Sequence, residues 1–333
     1  PWDTRMLEAT VKKILQARVY EAACETPISP APFLSRRFNN QILIKREDLQ
    51  PVFSFKIRGA YNKMAQLTQA QKDKGVIAAS AGNHAQGLAM AAKLMGVKAV
   101  IVMPRITPDI KVQAVRARGA KVILKGDAFA AAAEHAQELI QEHGYTYIPP
   151  FDDIDVVAGQ GTIGVEILRQ HAGRLDAIFV PVGGGGLIAG VAAYVKYLRP
   201  DIKVIGVEAE DSACLKAALE AGERVVLDQV GVFAEGVAVA QIGEVPFSLI
   251  QGLIDEVITV NTDEMCAAVK DIFEDTRAVA ETSGALSLAG LKKYIQQTGA
   301  EGETLLCINS GANTNFDRLQ HIAERTELGE QRE

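Results

Sequence analysis

The sequence predicts an α/β fold in which parallel sheets of β-α-β units carry helices on both faces. Short apolar runs of strand length, such as residues 99–102, alternate with longer segments of helical periodicity, such as residues 109–118. No internal repeat or low-complexity tract interrupts this alternation. At 333 residues the chain is long enough for two such domains or for one large α/β unit. Of these, we expect two doubly wound, mainly parallel α/β domains.

The N-terminal half supplies the first elements of this pattern. Ser54 is typical of an N-cap, and the helix after it is predicted to run through Tyr61 and Met64. Thr26-Pro27 ends an extended lead-in, because the residue before a proline avoids helical backbone angles. The other elements expected are strands at 42–44, 76–79, 99–102, 122–124 and 147–148, and helices at 7–22, from the loop 80–83 to about 94, at 109–118, up to about 142, and at 160–170.

The C-terminal half repeats the alternation with one less regular interval. Residues 222–255 show the weakest periodicity and are expected to form loops and short helices. The elements expected here are strands at 177–180, 204–207, 257–260 and 305–308, and helices at 187–195, 212–221, 262–275 and 283–296.

Charge and hydropathy exclude two classes of partner. The net charge is −6 with acidic and basic residues interspersed, so the chain shows no nucleic-acid footprint. Residues 177–195 are uncharged, but Pro181 and the glycines of this stretch make a poor membrane span. No other stretch supports a membrane topology. We expect neither nucleic acid nor a membrane as a partner.

The cysteines and the chain ends indicate a cytoplasmic domain. The four cysteines are far apart, and three lie in apolar or helical contexts, which favours buried thiols in a reducing compartment over disulfides or zinc. The chain opens at Pro1 without a signal peptide and closes in a polar run at Glu333, so we expect a domain trimmed from a longer product. The cysteines are Cys24, Cys214, Cys266 and Cys307.

Four consecutive glycines between a predicted strand and a predicted helix indicate a phosphate site. They place bare backbone N–H groups at a helix N-terminus, where the helix dipole attracts anions. A tight turn without a ligand stays open, and so does a dinucleotide site in which Gly184, Gly186 and Ala189 fit G-x-G-x-x-G/A. In that alternative Glu208 would bind the ribose. The glycines are Gly183, Gly184, Gly185 and Gly186.

Three loops are expected to converge on one site, because ligands bind such sheets at the carboxyl ends of the strands. Each loop follows an apolar strand, is expected to open a helix, and consists of small or hydrogen-bonding residues. Together they favour a ligand with several anionic groups. The loops are Ser80-Ala81-Gly82-Asn83-His84, residues 183–186, and Ser310-Gly311-Ala312-Asn313.

Lys56 is the candidate nucleophile near these loops. On composition alone it is a solvated lysine on a helix face. A functional lysine needs partial desolvation, so that its amine is neutral often enough to attack a carbonyl. Arg58 is close enough in sequence to help lower the pKa of Lys56.

Five motifs together resemble the threonine dehydratase (threonine deaminase) family of fold-type II enzymes that depend on pyridoxal 5′-phosphate. The resemblance runs from about Val19 to Glu330 and is closer to the biosynthetic branch than to the catabolic one. The motifs are the segments 45–51, 54–60, 80–87, 183–187 and 310–313, and the segments 208–215, 233–238 and 324–330 indicate the branch.

The resemblance implies a role for each candidate residue. Lys56 matches the lysine that binds the cofactor covalently, with Phe55 beside the ring. Asn83 matches the residue that hydrogen-bonds the 3-oxygen of the ring, and Ser310 the residue facing the ring nitrogen. Ser310 is also a candidate helix cap. The phosphate cradle is implied at Gly183, Gly184, Gly185, Gly186 and Leu187, and the clamp on the substrate carboxylate at Ser80, Ala81, Gly82, Asn83 and His84.

The activity implied is dehydration and deamination of L-threonine to 2-oxobutanoate and ammonia in isoleucine biosynthesis, with L-serine as a secondary substrate. The implied protein is a homo-oligomer, a dimer or tetramer. Its large cofactor domain would comprise residues 1–65 and 151–333 and its small domain residues 66–150. The C-terminal regulatory region of the biosynthetic branch is expected to be absent from this chain.

Two departures from related enzymes refine the expectation. Racemase relatives carry a second serine where this chain has Ala81, which favours elimination over racemisation. Metal-binding relatives carry a carboxylate six residues after the acid that matches Glu208, and Cys214 stands there instead. We therefore expect no divalent metal site, and Glu208, Glu210 and Asp211 are expected to form a solvated turn. The alternatives left open are a serine dehydratase or β-replacement enzyme, a nicotinamide dehydrogenase, and a non-catalytic module that binds a phosphorylated metabolite.

Overall fold

The computed structural model describes residues 3–330, and within them the chain forms two sheets. The larger sheet has six strands in the order β1-β2-β10-β7-β8-β9, and every pair is parallel except the edge pair β1 and β2. The expected α/β fold with mainly parallel sheets is confirmed. These strands are β1 (Ile28–Pro30), β2 (Gln41–Arg46), β7 (Ala177–Pro181), β8 (Lys203–Ala209), β9 (Glu256–Val260) and β10 (Thr304–Asn309).

The smaller sheet has four parallel strands in the order β5-β4-β3-β6. All four lie between residues 76 and 147, within the range expected for the small domain. The division into domains itself stays a prediction. The strands are β3 (Val76–Ala79), β4 (Ala99–Met103), β5 (Lys121–Leu124) and β6 (Thr146–Tyr147).

Helices cover both faces of each sheet. In β7, Ile178 and Val180 pack into the core on one face, while Ala177 and Phe179 pack into the core on the other. This period of two is what a strand buried on both sides requires. The helices are α1 (Thr4–Leu15), α2 (Pro32–Phe38), α3 (Lys56–Ala65), α4 (Gln69–Lys74), α5 (Asn83–Met95), α6 (Asp109–Ala117), α7 (Phe129–His143), α8 (Ile154–Gln170), α9 (Gly186–Leu198), α10 (Cys214–Ala221), α11 (Glu244–Ile250), α12 (Thr262–Thr276), α13 (Thr282–Thr298) and α14 (Leu319–Glu330).

Several expected boundaries were wrong. The first helix ends at Leu15 rather than near residue 22, because the backbone N–H of Arg18 donates to the side chain of Asn62 instead of continuing the helix. Ser54 is not the N-cap of α3: it is buried and forms an isolated bridge with Gly311. α8 begins six residues early, since Asp153 caps its first N–H groups. The sequence did not predict β1, α2 or α4.

Three of the four cysteines are buried, as the sequence predicted. Cys214, Cys266 and Cys307 are buried and Cys24 is exposed, and all four are free thiols, which confirms the expectation of buried thiols for three of them. Among residues 3–330, no helix is long and apolar enough to cross a bilayer.

Close packing of α8 on α9 depends on glycine. A Cβ added at Gly190 would lie 2.5 Å from the carbonyl oxygen of Val157 and 2.6 Å from the backbone nitrogen of Gly161. Real side chains do not approach backbone so closely, so the two helix axes would have to separate. The contact matters for the site, because the N-terminus of α9 carries the glycine loop.

We predict that Gly190→Ala lowers the free energy of unfolding by about 1–3 kcal/mol, the usual cost of overpacking a filled core. Equilibrium unfolding in urea measures it. Gly173→Ala is the matched control, because a Cβ there meets nothing within 4 Å. Equal unfolding midpoints for the two variants would show that α8 and α9 tolerate wider spacing.

Candidate functional site

Two of the three loops expected to converge, 80–84 and 310–313, contact each other at the carboxyl ends of their strands. The glycine loop lies against Phe151, whose ring is also near the Lys56 amine. The segment before α3 pairs with the third loop: the backbone N–H of Phe55 donates to Ser310 O (3.1 Å), and that of Ala312 donates to Phe53 O (2.8 Å). The first loop joins them where Asn313 Nδ2 donates to Asn83 Oδ1 (2.7 Å). One part of the expectation was wrong, because the third loop opens no helix directly; α14 begins only at Leu319.

Lys56 is the first residue of α3 and its amine lies between two aromatic rings. Its Nζ is 5.3 Å from the ring centroid of Phe55 and 6.0 Å from that of Phe151. It donates to the carbonyl oxygen of Pro150 at 2.9 Å. Burial lowers the pKa of Lys56 to about 8. This is the partly desolvated amine that attack on a carbonyl requires.

Arg58 does not face Lys56, contrary to the expectation from sequence. Its guanidinium is buried and lies between two carboxylates, with Nε 2.6 Å from Glu47 Oε1 and Nη1 2.5 Å from Glu166 Oε2. Lys45 Nζ lies 2.8 Å from the same Glu166 carboxylate. The lowered pKa of Lys56 comes from burial alone, and Arg58 instead holds the first turn of α3 in place.

The glycine loop forms the N-terminus of α9, as expected. Gly185 has a φ of +96°, which side chains rarely adopt, and no side chain caps the helix. A Cβ at Gly184 would lie 2.1 Å from the ring of Phe151, so this close approach also requires glycine. Backbone N–H groups at an uncapped helix end fit an anionic phosphate.

Asn83 begins α5 and belongs to a network that the sequence did not reveal. Its Nδ2 donates to Glu281 Oε1 at 2.8 Å, and Glu281 Oε2 accepts the backbone N–H of Asn313 at 2.7 Å. Glu281 is buried at the N-terminus of α13, 198 residues away from Asn83. No local motif marks Glu281, because its role depends on contacts that only the fold creates.

Ser310 lies directly after β10 and is 5% exposed. Its Oγ donates to the carbonyl oxygen of Ser283 at 3.3 Å. It caps no helix, so that alternative was wrong. The neighbouring side-chain amide nitrogen, Asn309 Nδ2, is buried and has no hydrogen-bond partner among the described residues.

The first loop is held by its own side chains. Ser80 Oγ accepts the backbone N–H groups of Gly82 and Ala85, both at 3.2 Å. His84 is buried, and its Nε2 lies 2.7 Å from the carbonyl oxygen of Ile148. Burial, followed by the nearby positive charge of Lys56, lowers the pKa of His84 to about 4, so the ring is neutral near pH 7.

Glu208 is neither a solvated acid nor free to bind a ribose. It is fully buried, and its carboxylate accepts the backbone N–H groups of Leu215 and Lys216, both at 2.9 Å. Burial raises the pKa of Glu208 to about 7. The carboxylate therefore binds N–H groups in the first turn of α10. The expectation of a solvated turn was wrong for Glu208.

The fold and this site define a pyridoxal-phosphate dependent enzyme. The family model described as "Pyridoxal-phosphate dependent enzyme" matches residues 19–311, and the chain belongs to that family. Pyridoxal 5′-phosphate is therefore the cofactor. The uncapped glycine loop and the desolvated lysine, both near Phe151, fit it. The nicotinamide alternative and the non-catalytic alternative are overturned.

Within the family, the chain is similar to threonine dehydratases. It is 57% identical over 326 residues to the biosynthetic L-threonine dehydratase IlvA of Burkholderia multivorans, covering 97% of this chain and 64% of that protein. Identity to the Salmonella typhimurium protein of the same name is 59%, over 97% of this chain and 63% of that protein. The chain thus spans less than two thirds of the length of these curated relatives.

Solved structures show the same similarity. The processed form of threonine deaminase isoform 2 from Solanum lycopersicum superposes with a TM-score of 0.95 at 48% identity, covering 97% of this chain and 94% of that one. Serine racemase from Dictyostelium discoideum superposes with a TM-score of 0.85 at 33% identity, covering 92% and 99%. The fold-type II architecture is confirmed.

The buried ion cluster yields a stability prediction. Arg58→Met leaves Glu47 and Glu166 with too little positive charge, and breaking a buried pair in this way costs about 3–5 kcal/mol. Thermal and urea unfolding measure the loss. Arg169→Met is the control, because Arg169 pairs with Glu25 at the surface, where ion pairs contribute little. Similar losses in both variants would contradict a special role for the buried cluster.

Proposed function

We propose that the chain catalyses the pyridoxal-phosphate dependent dehydration and deamination of L-threonine to 2-oxobutanoate and ammonia, with L-serine as a secondary substrate. The observation that carries the proposal is the placement of Lys56. Its amine, with a pKa of about 8, belongs to the segment that pairs with the Ser310 loop, and it lies near Phe151, which also contacts the glycine loop. The relatives named biosynthetic L-threonine dehydratases support threonine as the substrate. We propose that the reaction serves isoleucine biosynthesis.

Each residue of the site has a proposed role. Lys56 binds the cofactor, Phe55 packs beside the ring, Asn83 donates to the 3-oxygen, and Ser310 faces the ring nitrogen. The first loop, Ser80, Ala81, Gly82, Asn83 and His84, binds the substrate carboxylate. Gly183, Gly184, Gly185, Gly186 and Leu187 bind the phosphate.

The chemistry follows from what the chain holds in place. The bound cofactor supplies an electron-withdrawing ring that acidifies the Cα–H bond of the substrate. The Lys56 amine would remove that proton, and a pKa of about 8 would leave a useful fraction of this amine neutral near pH 7. Phe55 and Phe151 keep the amine away from bulk water, and Ala81 provides no second hydroxyl that would return a proton to the opposite face of Cα.

We propose the same domain division as the sequence indicated, 1–65 with 151–333 and 66–150, although residues 1–2 and 331–333 lie outside the described part. Sheet membership supports it, since β3 to β6 lie within the inner range and the remaining strands outside it. We also propose that the chain is a cytoplasmic homo-oligomer, a dimer or tetramer, and sedimentation analysis tests the oligomeric state. Assaying keto-acid formation with L-threonine and L-serine distinguishes the proposed substrate from that of a serine dehydratase.

Lys56→Ala is expected to abolish both the visible absorbance of bound cofactor and keto-acid formation while the protein stays folded. Spectrophotometry, an activity assay and circular dichroism measure the three. Lys63→Ala on the same helix is the control, because Lys63 pairs with Asp153 instead of facing the site. Near-wild-type turnover by Lys56→Ala, without added amines, would refute the assignment.

The pH dependence of cofactor capture tests the same lysine. Only the neutral amine attacks the aldehyde of pyridoxal 5′-phosphate, so the rate of capture by the cofactor-free protein should rise with pH and level off above about pH 8. An ordinary lysine, with a pKa of 10.5, would still be gaining rate at pH 9. Stopped-flow absorbance between pH 6 and pH 9 measures this. A rate still rising tenfold per pH unit at pH 9 would contradict the lowered pKa.

A further inference from the structure

Glu281 is a buried carboxylate with no cation beside it in the described part of the chain. It is 7% exposed, and among residues 3–330 it forms no ion pair. Three donors satisfy it instead: Asn83 Nδ2 and Ser283 Oγ at 2.8 Å to Oε1, and the Asn313 backbone N–H at 2.7 Å to Oε2. A buried charge held only by neutral donors is costly, so a purely structural position would favour an apolar or neutral side chain.

The position of Glu281 limits that cost. It is the N-cap residue of α13, a helix of 17 residues, where the helix dipole favours negative charge. Burial raises the pKa of Glu281, the three hydrogen bonds lower it, and Glu235 on a neighbouring loop raises it further. In each of these three hydrogen bonds the Glu281 carboxylate is the acceptor.

These contacts fix the orientation of the Asn83 amide. Its oxygen accepts from Asn313 Nδ2, and its nitrogen donates one hydrogen to Glu281. A carboxylate accepts and cannot donate, so the amide nitrogen is the end that faces Glu281. The second N–H of Asn83 forms no hydrogen bond with any described residue, and it is therefore free to donate to a ligand.

We propose that Glu281 is a positioning residue that fixes the Asn83 amide so that its second N–H is directed at the 3-oxygen of the cofactor. The inference rests on the proposed function, which places Asn83 beside that oxygen. Glu281 acts through Asn83 and does not itself touch the reacting atoms. It also ties the small sheet, which carries Asn83, to the large sheet, which carries the loop of Asn313.

A double-mutant cycle in the purified holoenzyme tests this. Glu281→Gln keeps the side-chain length but places an N–H donor against Asn83 or Asn313, and we expect it to weaken binding of pyridoxal 5′-phosphate on the order of tenfold. Asn83→Ala should have a similar effect. If Glu281 acts through Asn83, the double variant binds about as weakly as Asn83→Ala alone, whereas independent effects would multiply to on the order of a hundredfold.

The readouts are the cofactor dissociation constant, measured by equilibrium dialysis, and the absorbance maximum of the bound cofactor. Glu208→Gln is the matched control, since Glu208 is also a buried carboxylate bound by backbone N–H groups but does not contact Asn83. It should leave both readouts unchanged. Glu281→Asp, which keeps the charge, replaces Glu281→Gln in the cycle if the latter does not fold.

The outcomes separate this inference from the function on which it rests. The proposal is supported if the losses of cofactor affinity in the two single variants do not multiply in the double variant. Multiplying effects, or wild-type cofactor affinity in Glu281→Gln, overturn it and leave the proposed function intact. A wild-type protein that shows no visible band with the cofactor overturns the proposed function, and the positioning role of Glu281 with it.

Discussion

The buried guanidinium of Arg58 is the interaction on which the arrangement of the site depends. It binds Glu47, which follows β2, and Glu166, which lies on α8. Because Arg58 is two residues from Lys56, this pairing fixes the first turn of α3 against the large sheet. α8 in turn packs on α9 through glycine contacts, and α9 begins at the phosphate loop. The nucleophile and the phosphate loop are therefore positioned by one continuous set of contacts.

Two buried carboxylates near the site are stabilised in different ways, one by cations and one by neutral hydrogen-bond donors. Glu166 has Arg58 and Lys45 beside it, and these partners hold its pKa below the usual range despite burial. Glu281 has hydrogen-bond donors but no cation among the described residues, and burial raises its pKa. The first arrangement fixes a helix, and the second orients an amide.

The sequence predicted most strands and the loops after them, because their signals are local. Apolar runs such as 177–180 and the four glycines are visible without the fold. Ser54 and the end of α1 were wrong because a tertiary contact, to Gly311 and to Asn62 respectively, overrode the local preference. Glu281 and Phe151 could not be predicted, since each acts on residues distant in sequence.

The glycine loop has packing contacts that its sequence alone does not predict. Phosphate binding alone asks for exposed backbone N–H groups, yet each glycine here also answers a separate steric demand. A Cβ at Gly183 would crowd the backbone of Val237, one at Gly184 would enter the ring of Phe151, and Gly185 has a positive φ. Phe151 also lies beside Lys56, so the loop and the amine share one aromatic wall. Gly184 is therefore required by packing against the aromatic wall of the lysine environment, in addition to the role we propose for the loop as a cradle for phosphate.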